Sequence, residues 1–160
     1  MLVTALAVNA QNLVGKQWCT VLNDEDGQGI AVALTFEKNG TCEMLIAAQQ
    51  DMKEEGVPIN LIASVTVPGT YKLDGKDLNN QFNNGKAKVD VDYEIKGMDA
   101  KTKALLDKQI KGEISTLKTE FRKVLLGGMP KMDNLKIVKL ESKQLVVKNG
   151  DNQEIPFYAE

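Results

Sequence analysis

Three carboxylates alternate along one short segment, Asp90, Asp92 and Glu94, with Val91 and Tyr93 between them. On a β-strand they would share one face, neighbours about 7 Å apart. Carboxylate pairs at such separations do the work of glycoside hydrolysis, so a carbohydrate-active enzyme is one reading. A solvated strand face explains the same residues without chemistry, because that reaction also needs a cleft and a raised pKa. Cys19 and Cys42 are the candidate nucleophiles, yet the chain contains no histidine to serve as their base. The same absence removes the usual general base near neutral pH and the commonest metal ligand. Asp24-Glu25-Asp26-Gly27 matches part of a calcium loop, but Thr35 stands where the bidentate acid belongs, and a turn accounts for it. Asn39-Gly40-Thr41 is a glycosylation sequon that a tight hairpin explains equally well. The expectation is a protein that is not an enzyme and has no metal or cofactor.

The chain has 160 residues, enough for one domain with a sizeable core. Apolar residues make up 42% and charged residues 26%, a balance that argues against wholesale disorder. A net charge of −2 offers no field for nucleic acid. The lysines between Lys101 and Lys123 are interleaved with Asp107, Glu113 and Glu120, which reads as a solvated helix face.

The segment from Leu2 to Ala10 is apolar and ends in small residues. Val8 and Ala10 fit the −3 and −1 positions of a signal-peptide cut, with Gln11 as the mature start, although a basic leader is missing. Residues 1–10 are therefore read as a truncated signal peptide, which places the protein outside the cytoplasm, periplasmic or secreted. The alternative is a buried N-terminal strand or helix. The stretch is too short to span a bilayer, so no transmembrane segment is expected in the mature chain.

The elements that must carry these residues are mostly strands. From Lys16 to Ile95 short alternating runs are separated by turn residues, the pattern of an antiparallel barrel or sandwich. The hairpin around Lys38-Asn39-Gly40 has a testable register. A two-residue Asn-Gly turn would set Phe36 against Glu43. A type I turn with a left-handed Gly40 instead pairs Phe36 with Cys42, Leu34 with Met44 and Val32 with Ile46, one continuous apolar face, and is preferred. Further strands are read at Leu61–Val67, ended by Pro68-Gly69, then at Tyr71–Leu73, Leu78–Phe82 and Val89–Ile95. After the helix come Leu135–Leu140, Gln144–Lys148 and Glu154–Tyr158.

Between Ile95 and Leu135 the period changes. Leu106, Ile110, Ile114, Leu117, Phe121 and Val124 fall within an arc of about 80°, predicting an amphipathic helix inserted over about 99–126. Asp99 is its N-cap and Gly127-Gly128 its stop. Ala31, Ala33, Leu45 and Ala47, apolar and mostly small residues on the outer faces of the hairpin, predict that the helix lies across the outside of the sheet. The alternative is that it caps an open barrel end. Cys42 belongs to the inward set and Cys19 points opposite Trp18, two strands away, so a disulfide is not favoured.

Leu13-Val14-Gly15-Lys16-Gln17-Trp18 resembles the Gly-x-Trp opening strand of lipocalins and the wider calycins, with one extra residue before the tryptophan. Phe36-Glu37-Lys38-Asn39-Gly40-Thr41, Gly69-Thr70-Tyr71-Lys72-Leu73 and Leu78 look like the repeated phrases of bacterial, exported, mostly uncharacterised lipocalin-like domains. Ile137-Val138-Lys139-Leu140 with Leu145-Val146-Val147 looks like their closing hairpin. The resemblance implies a mainly β fold: an up-and-down lipocalin-like β-barrel over residues 11–160, with Trp18 closing one end. Trp18, Leu34, Phe36, Met44, Ile46, Leu61, Val65, Tyr71 and Phe82 are then the interior residues and the candidate ligand contacts. Side chains can fill such a barrel or leave room for one small molecule. The leading reading is a non-enzymatic, exported binding protein for a small hydrophobic ligand. The alternative is a solid-cored module that docks a protein or envelope partner through the helix or the sheet exterior.

Overall fold

The computed structural model describes residues 11–23, 29–54 and 56–160. The expected signal peptide and the Asp24-Glu25-Asp26-Gly27 segment lie outside the described residues. Nine strands alternate apolar and polar side chains: β1 (Gln17–Asn23), β2 (Gly29–Phe36), β3 (Thr41–Glu54), β4 (Val57–Asp74), β5 (Asp77–Phe82), β6 (Lys88–Ile95), β7 (Asn134–Leu140), β8 (Gln144–Lys148) and β9 (Glu154–Ala159). The long helix, α1 (Ala100–Gly127, 28 residues), separates β6 from β7; among the described residues shorter helical stretches lie at 11–13 and Asn84–Lys86. The strands run β3-β2-β1-β9-β8-β7-β5-β4, and β4 pairs back onto β3, closing an eight-stranded antiparallel barrel. Closure leaves the barrel proper without free edges.

The β2–β3 hairpin has the register that the apolar face demands. Phe36 lies opposite Cys42, Leu34 opposite Met44 and Val32 opposite Ile46. Gly40 adopts φ 88°, the left-handed conformation this turn requires, and the Glu37 amide donates to the Thr41 carbonyl at 2.9 Å. The Asn39 side chain accepts from the Thr41 amide, so the sequon residues shape the turn.

One strand boundary differs from expectation. Pro68-Gly69 does not end a strand: β4 runs through both for 18 residues. Its outer neighbour changes there, from β6 beside Ile59–Thr66 to β5 beside Gly69–Asp74. Pro68 falls in the gap between those two ladders, where a missing N–H costs least. At Gly69 an added Cβ would come within 2.5 Å of the Gln81 carbonyl, so glycine permits the close approach of β5. Beyond the gap, β3, β4 and β6 continue past the barrel as a three-stranded extension.

The helix completes the core. Asp99 caps it, its carboxylate accepting from the Thr102 amide at 2.7 Å, and it ends where Gly128 donates to the Val124 carbonyl. Its place is the correction to the predicted docking face. Helix α1 packs on β6, β4 and β3, and the Tyr93 hydroxyl donates to the Asp107 carboxylate. Tyr93 shares its sheet face with Leu61, so the helix covers the core side of the extension. Ala63, fully buried between Ala48 and Val91, belongs to that face. Small residues are present on the covered side too, in Ala63 and Ala48. Of the four residues expected to seat the helix, Ala31 is exposed, Leu45 and Ala47 are half-buried and Ala33 is buried.

The helix stripe is also displaced at its end. Leu106, Ile110 and Leu125 are buried, whereas Val124 is 65% exposed. Positions 124 and 125 lie about 100° apart on a helix. The buried side therefore turns toward Leu125 where α1 leaves the extension for the barrel mouth. Among the described residues, no helix is long and apolar enough to cross a membrane.

Candidate functional site

The two ends of the barrel are built differently. At the first, the chain before β1 crosses beneath the sheet. Leu13 and Trp18 are fully buried, and the Trp18 indole N–H donates to the Leu13 carbonyl at 2.9 Å. The Lys16 ammonium lies 5.6 Å from the indole centre, a cation–π distance, and donates to the Ser142 carbonyl. Phe36 and Tyr71 meet edge-to-face at 5.1 Å, and the Tyr71 hydroxyl donates to the Glu37 carbonyl at 2.6 Å. Trp18 thus closes this end by packing.

Of the nine interior candidates, seven are buried and two are half-buried. Trp18, Leu34, Phe36, Ile46 and Val65 are at most 1% exposed, Leu61 and Met44 are buried beside them, and Tyr71 and Phe82 pack against the cluster. The depth of the barrel is occupied by side chains.

The opposite end, the mouth, holds an open pocket of about 440 Å³. Met44 on β3 and Asn80, Gln81 and Phe82 on β5 form its barrel side. Leu126 on α1 and the following segment, Met129, Pro130, Met132 and Asp133, form its cover, with Asn84 at the rim. Arg122 of the helix donates to the Asn84 carbonyl at 2.6 Å and ties α1 to that rim. The cover is anchored on Asn80: its amide donates to the Asp133 carbonyl at 2.6 Å, and its side-chain Nδ2 donates to the Met132 carbonyl at 2.9 Å. Two of the nine candidates, Met44 and Phe82, reach this pocket. Asn80, Leu126, Met129 and Met132 were not anticipated. The signal for Asn80 is a polar residue in the inward series Leu78-x-Asn80-x-Phe82.

The residues with chemical potential lie elsewhere. Asp90, Asp92 and Glu94 are exposed on the outer face of the extension, opposite Ser64, Ile62 and Asn60. Cys42 is buried, and burial pushes its thiol up to about 11. Burial, then the nearby Glu160 carboxylate, also raises the Cys19 thiol. Protonated thiols are poor nucleophiles. The cysteines are unbonded: Cys42 faces the core, and Cys19 faces outward on β1 with β2 between them. Among the described residues, no cluster of three His, Cys, Asp or Glu side chains could hold a metal ion. No protein-family model matches this chain, and no curated protein is similar to it in sequence.

Proposed function

We propose that the protein is a non-enzymatic, exported, calycin-like binding protein that holds a small hydrophobic ligand at the helix-covered mouth of its barrel. The observation that carries this reading is the pocket of about 440 Å³, where Met44, Phe82, Leu126, Met129, Pro130 and Met132 supply the apolar part of a wall shared with Asn80, Gln81, Asn84 and Asp133. Its size lies in the range of small-molecule sites. Methionine side chains are unbranched and polarisable, so such walls adapt to apolar guests. The closed depth of the barrel favours the mouth over the centre. The apolar Leu2–Ala10 segment with Val8 and Ala10 supports export, which N-terminal sequencing of protein from the envelope or medium would check.

Carbon-13 methyl NMR of methionine-labelled protein tests the site directly. Titration with medium-chain apolar compounds should move the Met44, Met129 and Met132 signals and leave Met98, at the start of the helix, in place. Unmoved pocket signals at saturating concentrations would overturn the reading. Trp18 is at the other end of the barrel and would not report binding here.

A second reading is an interaction module. One observation favours it: because the helix lies inside, the outer face of β1 and β9 leaves Val21 66% and Tyr158 55% exposed. Ala31 on β2 and the half-buried Leu45 and Ala47 on β3 extend that face. On this reading Val21→Asp abolishes association with an envelope protein while ligand-induced methionine shifts persist.

A further inference from the structure

Asn80 is the odd member of the barrel lining. It is 3% exposed, and each of its two nitrogens donates a hydrogen bond, the backbone amide to the Asp133 carbonyl and Nδ2 to the Met132 carbonyl. Its Oδ1 is buried with no hydrogen-bond partner among the described residues. An unpaired buried carbonyl is disfavoured by loss of hydration, and proteins retain few of them. This one belongs to a residue that lines the mouth pocket.

We propose that Asn80 Oδ1 is the polar anchor of the ligand, and that the ligand is an apolar molecule with a neutral hydroxyl at one end. This rests on the mouth being the binding site. The carbonyl oxygen is an acceptor only, so the guest must bring a donor. A carboxylate head does not fit: the lining contains Asp133 and no lysine or arginine, and Arg122 is engaged on the Asn84 carbonyl at the rim. Oδ1 is shielded from water, so the hydroxyl reaches it when a neighbouring side chain gives way. Three of the chain's six methionines line the pocket, and these move at least cost. The apolar tail then lies along Phe82 and Leu126.

The test compares decanol, decyl methyl ether and decanoate on the unaltered protein, with dissociation constants read from the methionine methyl signals. Decanol should bind about tenfold more tightly than the ether, which has the same tail but no donor. Decanoate should bind more weakly than decanol. In Asn80→Leu the alcohol and the ether should converge. Equal binding of alcohol and ether by the unaltered protein would overturn the anchor while leaving the mouth as a site, and so would a preference surviving in Asn80→Leu. The ether comparison carries the test even if that variant folds poorly. Binding of none of the three would bring down the site and the anchor together.

Discussion

The closed end and the mouth of this barrel use their apolar side chains to opposite effect. Beneath Trp18 each polar group named has a partner, aromatic rings meet at their preferred angle, and the large side chains are aromatic or branched. Around Met129 three flexible thioethers share the wall with polar side chains, the cover hangs on one asparagine, and a buried carbonyl has no partner among the described residues. Rigid side chains with few rotamers specify one packing; unbranched ones tolerate several. Stability is therefore concentrated at the end where nothing need enter, and adaptability at the end where a guest fits.

Trp18→Ala should break the comparison most severely. It removes the largest buried ring and leaves the Leu13 carbonyl without its donor, a loss of about 3–5 kcal/mol in denaturant unfolding. Ala63→Asp attacks the helix seat beside the mouth. A carboxylate on a fully buried face without a partner should cost more than about 3 kcal/mol and loosen α1, visible as faster amide exchange from Leu106 to Leu125. Leu45→Asp, one strand over on the outer face, should cost under about 1 kcal/mol. Equal effects of the two would mean that the helix covers the other side of the sheet.

The contrast between Ala63 and Leu45 shows how far the sequence was legible. Alternation in β2 and β3 dictated the hairpin register, because only one pairing keeps Phe36, Leu34 and Val32 on the side of Cys42, Met44 and Ile46. The caps of α1 were equally plain, since Asp99 acts on the adjoining turn through its own side chain and Gly127-Gly128 through their own backbone. The docking face was not. Small apolar residues mark a helix seat on either side of a sheet, and both sides of this hairpin carry alanines, so the choice depends on where β6 aligns. Pro68 misled for a related reason: whether proline interrupts a strand depends on the neighbour beside it. At the site, Met44 and Phe82 were accessible through periodicity. Met129 and Met132 lie in a connection without period, where only tertiary structure says what they cover.

A third prediction concerns alkaline pH at the closed end. Cys42 lies there beside Phe36, with its thiol raised from 9.0 to about 11 by burial. Between those values the unfolded chain releases this proton and the native protein keeps it. The contribution to stability is whole below pH 9 and declines as pH rises toward 11, by about 2–3 kcal/mol in all. Chemical denaturation across that window should show wild type losing more stability than Cys42→Ala. Parallel curves would mean that the thiol is hydrated in the native state.

Met129→Ala should have the smallest effect on stability and sharpens the comparison most. Met129 is half-buried in the cover, and truncating it should cost about 1 kcal/mol or less, because the neighbouring methionines can shift into the space. Binding should change more than folding: a wider mouth loses contact with a straight-chain tail and gains room for a branched or ring-bearing one. Titrating the variant with decanol and with a cyclohexyl-substituted alcohol should therefore reverse their order relative to wild type. A uniform fall in affinity, accompanied by a large drop in melting temperature, would show that the cover is as rigid as the floor beneath Trp18.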